Sequence, residues 1–356
     1  KQNMKKKSLS AKKKIHKKVL SYLKNPIIGE IYKEFETSLI NYSRSKSFAV
    51  AVSGGPDSLA LTYLAKCFSI LKNFKIKYYH VDHKLRDKSS IEAKRIKLLL
   101  NNFDVKCKIL VWKGRKPQSN IQSIARKKRY FLIFNQSIKE NIYHILTAHH
   151  LDDLYENFFI RLSRGSGLKG LSSFNQLNSK TIKGVVILRP LIKYKKEKLS
   201  YITKKVFNFY INDPSNVNPS FKRTRIRNFI YNLKSEGFDE NKLKLTIKNL
   251  SDSNYTIEHY VRKNIDLNSS FVKSKSSCII NKNFFRQPHE IVFRSLSIIL
   301  QKVGKRYNLS RGKSLNQIID KINSQNFNKV TLSGCILEKI NNSLIIYKES
   351  RKKCIN

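Results

Sequence analysis

The sequence predicts an α/β protein: a doubly wound, mostly parallel sheet, followed by a helical connector and a small α+β C-terminal unit. Three observations predict it. Between residues 47 and 191, short apolar runs alternate with segments of helical periodicity, the mark of βαβ units with helices on both sheet faces. The polar motifs able to do chemistry fall at the ends of those runs or in the helix that follows, where open parallel sheets bind ligands. After Asn228 the alternation stops.

The elements follow in order. Ser47-Phe-Ala-Val-Ala-Val52 is a short apolar run bounded by Gly and reads as a buried strand. Ser58 to Leu71 carries Leu61, Leu64, Ala65, Phe68 and Leu71 at helical spacing. Lys75 to Val81 is a second strand, and Ser89 with Glu92 forms a capping-box pair opening a helix to about Asn102. Lys106 to Trp112 is a third strand, Ser119 to about Glu140 a long helix, Tyr143 to Ala148 a fourth strand and Leu151 to about Leu162 a helix. Val185 to Leu188 is a fifth strand, stopped by Pro190. Phe229 to about Asn264 reads as helix, and Leu267 to Ser277 as a Ser/Lys-rich linker. Gln287 to Val303 and Ser314 to Ile322 read as helices. Lys329 to Leu332, Cys335 to Ile340 and Ser343 to Tyr347 form a strand meander turning at Ser333-Gly334 and Asn341-Asn342. The expected domains are a flexible basic leader (1–22), a catalytic domain (23–228), a helical connector with linker (229–283) and a small C-terminal domain (284–356).

The chain has 356 residues, 72 Lys and Arg against 24 Asp and Glu, and a formal charge of +48. Codon bias towards Lys, Asn and Ile would not deplete acids, so the excess points to a polyanion, nucleic acid first. A membrane surface fits less well, since no amphipathic basic helix stands out. The five cysteines are scattered without a CxxC pair, as in a cytosolic protein with reduced thiols. No apolar run approaches the roughly 18 residues that span a bilayer. The Lys-rich N-terminus lacks the apolar core of an export signal.

Ser53-Gly54-Gly55-Pro56-Asp57-Ser58 joins the first strand to its helix. Glycines permit close backbone approach, and the helix start offers free N–H groups and a positive dipole end suited to phosphate. Asp57 beside phosphate requires a bridging cation, which implies Mg²⁺. The hexapeptide is not Walker A, which needs GK[ST]. His80-Val-Asp-His83 follows the second strand, and Ala148-His-His-Leu-Asp-Asp153 the fourth. Asp153 and Glu156 stand three apart in a first helical turn. The histidines and acids could build a metal-hydrolase centre, or the acids could hold Mg²⁺ or an amine near a nucleotide. The second reading is preferred because the phosphate turn lies at the same sheet edge. Along the helix from Ser119, an apolar arc includes Ile121, Ile124, Ala125, Phe131, Phe134 and Ile138. Arg129 lies just outside that arc, Arg126 faces away, and Lys128 falls within it unexplained. Arg161 to Leu171 is a Gly-rich basic loop containing Arg164, and Asp213 to Asn216 a turn. Arg223, Arg225 and Arg227 stand two apart, so they could grip phosphates around a bend.

The segments SGGPDS, HVDHKLR, ARKKRY, AHHLDDLYE, RLSRGSGLKGL, RPL, DPSN and RTRIR, in that order, resemble the tRNA(Ile)-lysidine synthetase family of PP-loop ATPases (N-type ATP pyrophosphatases). The likeness covers about Phe48 to Asn228 closely, and about Phe284 to Lys348 with weaker motifs resembling a small tRNA-binding domain. It implies a PP-loop fold, ATP and Mg²⁺ as cofactors, tRNA(Ile) and L-lysine as substrates, and lysidine formation through an adenylated base. It also implies that Ser53, Gly54, Gly55, Pro56, Asp57 and Ser58 bind ATP. By the same likeness Asp57 and Asp153 are near the metal, and Asp57, Arg129, Asp153, Glu156 and His149 belong to the catalytic set. Arg164, Arg223, Arg225 and Arg227 are the implied tRNA contacts. A homodimer is carried as a further expectation. The alternatives are a PP-loop tRNA thiolase, which needs clustered or catalytic cysteines, and an inactive RNA-binding paralogue.

Overall fold

The structure, a computed structural model, describes residues 2–42, 47–86, 88–115, 117–174, 178–180, 184–212, 218–272, 276–305, 312–324 and 327–349. They form two compact units, Lys1–Ile247 and Lys248–Asn356. The division falls inside one long helix rather than at 228 or 283.

The first unit is built on strands β1 (Ser47–Val52), β2 (Lys75–Asp82), β3 (Cys107–Val111), β4 (His144–Leu146), β5 (Asn178–Lys180) and β6 (Val186–Leu188), in the order β3-β2-β1-β4-β6-β5. All neighbours pair in parallel except β5, which adds an antiparallel edge that carries no signal in the sequence. The helices are α1 (Gln2–Ser21), α2 (Pro26–Ile40), α3 (Pro56–Lys72), α4 (Ser89–Asn101), α5 (Ile121–Lys139), α6 (Leu151–Leu162), α7 (Leu168–Ser172), α8 (Lys196–Phe207), α9 (Lys222–Ser235) and α10 (Glu240–Asn268). Strand β1 shows why the run is apolar throughout. Phe48, Val50 and Val52 enter a core shared with α2, α3, α4 and α8, whereas Ala49 and Ala51 face the core under α5. A strand covered on both faces has no side left for polar residues.

Strand order reverses direction between β1 and β4, so the cleft at their carboxyl ends is the topological switch point. The phosphate turn leaves β1 and the two adjacent histidines follow β4, which brings both motifs to that cleft.

Several expectations change. The leader is a helix, α1, and not a flexible segment: Val19 is buried, and Ile15 and Leu20 pack on the core of the first unit. It is also the amphipathic basic helix that does not stand out in the sequence. Helices α2 and α8 are additions to the expected elements. The Ser89–Glu92 capping box does not form. The Ser89 and Ser90 hydroxyls instead donate to Asp82 (2.8 and 2.6 Å), and Glu92 pairs with Arg86. In α5 the buried positions are Ala125, Ile133 and Ser137, while Phe131 is exposed. That rotation puts Lys128 in solvent, its Nζ 5.9 Å from the Phe131 ring. The turn Asp213 to Asn216 lies outside the described residues.

In the second unit, β7 (Ser269–Val272), β8 (Ser277–Asn281), β9 (Lys329–Leu332), β10 (Cys335–Ile340) and β11 (Ser343–Lys348) form an antiparallel sheet ordered β7-β8-β11-β10-β9. With α11 (His289–Gly304) and α12 (Gly312–Asn323) it encloses Phe284, Leu296, Ile299, Leu337 and Ile346. The three-strand meander is as expected. The linker reading of 267–277 is not: α10 runs to Asn268, and Ser269–Val272 is a strand pairing with β8.

Candidate active site

The turn after β1 is wound around Ser58. Its hydroxyl oxygen receives the Ser53 and Gly54 amides (3.1 and 3.0 Å) and contacts the Ser53 hydroxyl (3.0 Å), while its own proton goes to the Gly55 carbonyl (3.0 Å). Gly54 sits at φ +88°, and a Cβ there would lie 2.1 Å from Ile96 Cδ1, so only glycine fits. Gly55 is the N-cap of α3 and Pro56 its first residue, as a helix start favours. Asp57 follows in the first turn, its Oδ1 buried and without a hydrogen bond. Burial lifts its carboxyl above the ordinary value, against the pull of His150 and Lys196.

Across the cleft, β4 exits in extended backbone through His149 and His150. Consecutive residues of an extended chain point to opposite sides. His150, at φ −128° and ψ 179°, caps α6, and its amide donates to Asp153 (3.3 Å). Its imidazole lies 3.6 Å from Asp57, 3.5 Å from Asp153 and 3.3 Å from Asp152. Burial opposes charge on this ring, but Asp152, Asp153 and Asp57 outweigh it and hold the imidazolium above its ordinary pKa. Asp152 also accepts the Lys196 amide at the start of α8 (2.8 Å). Burial works against ionised Asp153, yet His150 and Arg223 keep its carboxyl below the usual value.

His149 faces the other way. Arg126 has only donors, so the His149 Nε2 it meets at 3.4 Å accepts and the proton sits on Nδ1. Nδ1 then donates to Thr147 Oγ1 (2.9 Å), whose hydroxyl passes to the Leu188 carbonyl (3.3 Å). Burial and the neighbouring arginines push this imidazole down to about 3, so it is neutral. Arg126 therefore points at the site and not away from it, because the buried stripe of α5 is rotated from the expected arc.

Arg129, one turn on, donates to His83 Nε2 (3.3 Å) at the end of β2. His83 is driven down to about 4 by burial and Arg129. His80 donates from Nδ1 to the Val52 carbonyl (2.9 Å), tying the ends of β1 and β2. Beyond His83, a cavity of about 250 Å³ is lined by Lys84, Trp112, Lys113 and Gly114.

Glu156, buried in α6, is held by Arg227 of α9 through both carboxylate oxygens, with Arg223 Nε 4.0 Å away. Burial raises its carboxyl despite these cations. Arg225 instead donates to the Pro219 and Ser220 carbonyls (3.1 and 2.8 Å) at the start of its own helix. Arg164 lies exposed in the turn after α6.

The geometry thus joins Asp57, Asp153 and the phosphate turn through His150, and adds Glu156 on the same helix as Asp153, held by Arg227 of α9. Arg129 of α5 reaches the end of β2 through His83 and His149 leaves the end of β4, whereas Arg164 lies exposed in the turn after α6 and Arg225 is turned to the start of its own helix. Sequence reading missed His150 and Arg126. The paired histidines were the available signal, since an extended His-His must aim one ring to each side. Two close carboxylates, one with a free buried oxygen, fit Mg²⁺, which is commonly held by one or two carboxylates plus phosphate and water. Among the described residues no three His, Cys, Asp or Glu side chains group as a metal-ligand set. The four described cysteines are free and buried, with Cys67 and Cys107 both pushed up to about 12 by burial. No helix among the described residues is long and apolar enough to cross a membrane.

Comparison with known proteins adds four findings. The PP-loop domain family matches residues 28–234. The chain is 35% identical over 322 residues to the tRNA(Ile)-lysidine synthase of Orientia tsutsugamushi (strain Boryong), spanning 86% of this chain and 71% of that protein. The tRNA(Ile)-lysidine synthase of Wolbachia sp. subsp. Brugia malayi (strain TRS) is 33% identical over 319 residues, spanning 85% and 71%. Among solved structures, the U34-tRNA thiolase NcsA from Methanococcus maripaludis is similar in fold, with a TM-score of 0.51 at 16% identity, over 64% of this chain and 79% of that one.

Proposed function

From the premise that this chain belongs to the tRNA(Ile)-lysidine synthase family, built on the PP-loop domain, we propose that the cleft between β1 and β4 joins L-lysine to the wobble cytidine of tRNA(Ile) with the CAU anticodon. The enzyme is an ATP-dependent ligase acting on tRNA. The cytosine carbonyl oxygen attacks the ATP α-phosphorus and pyrophosphate leaves; the lysine amine then attacks the activated ring carbon and AMP leaves. The observation that carries the reading is His150 between Asp57 and Asp153, which joins the phosphate turn to the acidic first turn of α6.

The chain's own groups divide the work. The Gly-rich turn and the start of α3 cradle phosphate with backbone N–H groups and a favourable dipole. Asp57 and Asp153 would hold Mg²⁺, which supplies positive charge against the phosphates. Arg129 and Arg126 project from α5 towards the strand ends, fixed charges that offset negative charge as the pyrophosphate departs. Neutral His149 orients Arg126. Asp153 is ionised, and its cationic neighbour is His150 rather than a bound arginine. It is thus better placed to receive the lysine ammonium or the metal than Glu156, which Arg227 occupies. Arg223 and Arg227 lie where α9 meets α6 and, with Arg164 and Arg225, form the proposed tRNA contacts. The expected small C-terminal domain is the proposed second tRNA-binding part. The thiolase alternative finds no accessible thiol among the described cysteines.

Incubation with a CAU tRNA(Ile) transcript, labelled lysine and Mg-ATP tests the reading. Label should enter tRNA with stoichiometric AMP. Folded protein that binds ATP but incorporates no label would overturn it. A second copy of the chain and a cytosolic location are the remaining proposals; light scattering that returns 41.6 kDa would remove the dimer.

A further inference from the structure

We propose that α1 is a docked RNA-binding strip, an additional grip on the tRNA backbone outside the PP-loop core. It rests on the reading of the enzyme as one that acts on tRNA. The helix precedes the residues matched by the PP-loop family, 28–234, and no acidic residue occurs in its sequence QNMKKKSLSAKKKIHKKVLS. Its two sides differ sharply. At about 100° per residue, Ile15, Val19, His16, Leu20 and Lys12 share one arc, and Lys13, Lys14, Lys17 and Lys18 fill the opposite one. The first arc is seated. Val19 is buried, Ile15 and Leu20 pack on the core, and the Tyr63 hydroxyl donates to the Val19 carbonyl (3.2 Å).

A charge clamp adds to that seat. Asp104 receives His16 Nε2 (2.9 Å) and Lys66 Nζ (2.7 Å), with Lys12 at 3.9 Å. Lys66 is itself nearly buried and also donates to the Asp104 carbonyl (2.8 Å). One carboxylate, shared between α1 and α3, thus fixes the rotation of the helix. The four opposite lysines are exposed and form no ion pair among the described residues.

Like charges one turn apart on a helix face repel each other and weaken the helix. Lys13–Lys17, Lys14–Lys17 and Lys14–Lys18 are such pairs. A helix that keeps this repulsion on one face while its other face is clamped to a rigid core presents a fixed row of cations. The partner that relieves the repulsion is a polyanion with closely spaced charges, and the enzyme's own substrate is one. Such binding is independent of sequence and strongly sensitive to salt.

The test uses the full chain with Lys13, Lys14, Lys17 and Lys18 each changed to Gln, a good helix former at exposed sites. The control changes Lys33, Lys75, Lys106 and Lys139, exposed on other elements, to Gln. At about 0.1 M salt the α1 variant should bind tRNA at least fivefold more weakly. Its slope of log Kd against log salt should fall by about one to three, at about 0.7–0.9 for each phosphate no longer neutralised. The control should move both far less, and kcat at saturating tRNA should be unchanged in both. Equal losses in variant and control would mean bulk charge alone and overturn the proposal, as would unchanged binding by the α1 variant. In the wild type, tRNA should shield these four lysines from acetic anhydride while ATP does not; failure of that protection overturns it without any variant. Loss of binding to anionic phospholipid vesicles, with tRNA binding intact, would assign α1 to a membrane instead. Failure of the wild type to incorporate lysine would strike the parent reading, whereas these outcomes strike only α1.

Discussion

Replacing Arg227 with Ala should destabilise the first unit more than replacing Glu156 with Gln, and the deficit should depend on pH. The Glu156 side chain is 3% exposed and that of Arg227 34%. Removing one partner of a buried ion pair costs about 3–5 kcal/mol, because a charge is left without compensation. Water reaches Arg227, so a discounted value applies: about 2–3 kcal/mol at pH 8 for Arg227→Ala. Glu156→Gln leaves a guanidinium that can still be solvated, and about 0.5–1 kcal/mol is expected. For a unit of this size the first loss lowers Tm by about 5–10 °C. The sign of the pH dependence follows from Glu156. Burial already lifts its carboxyl above 4.5 while Arg227 pulls it down, so loss of Arg227 lifts it further. A carboxyl raised in the folded state contributes stability that is complete below its unfolded pKa and lost as pH rises through the folded one. The Arg227→Ala deficit should therefore be largest at pH 8 and shrink towards pH 5. Urea unfolding at both values reads it. A pH-independent deficit, or a larger one for Glu156→Gln, would refute the reasoning.

Three further outcomes are expected. Arg129→Lys should lower tRNA-dependent AMP formation by about a hundredfold or more with ATP binding retained, as for other fixed charges aimed at a transition state; equilibrium ATP binding and single-turnover rates check it. Burial opposes ionised Asp104, but the Lys66 and His16 hydrogen bonds and the Lys12 charge hold its carboxyl below the ordinary value. Its stabilisation is thus present above the unfolded pKa and lost as pH falls through the folded one, so the gap between wild type and Asp104→Asn should be steady from pH 8 to 5 and close below about pH 4. Asparagine tolerates the left-handed backbone at that position (φ 54°), so the comparison isolates charge. Iodoacetamide at pH 8 should leave Cys67 and Cys107 unlabelled in the native protein and label both in urea, since burial holds each thiol near 12; native labelling read by mass spectrometry would contradict their burial.

The catalytic half of the fold was legible because its signals are local. An apolar strand, a glycine turn and an amphipathic helix occupy consecutive residues from Ser47 to Lys72, and their spacing alone orders them. What stayed hidden depends on neighbours distant in sequence. Ser89 and Glu92 satisfy a capping rule, yet Asp82, seven residues upstream, claims the serine hydroxyls first. Strands β7 and β8 are only four and five residues long, too short to show a clear alternation, and the pairing of β8 with β11 is what makes them strands. In α1 the run of lysines masks an apolar stripe of three residues whose partner, α3, begins only at Pro56.

The site shows the same limit in a sharper form. Asp57 and Asp153 are 96 positions apart, and either acid alone is an ordinary helix-start residue. What turns them into one site is His150, placed by the extended exit of β4 so that its ring enters the cleft while His149 turns back to Arg126. Neither ring direction is a property of the dipeptide; both follow from the register that sets Val50 opposite Leu146 and so brings the two strand ends level. The chemistry of this enzyme therefore depends on a β-ladder register. A one-residue slip between β1 and β4 would exchange the two rings and separate the phosphate turn from its acid.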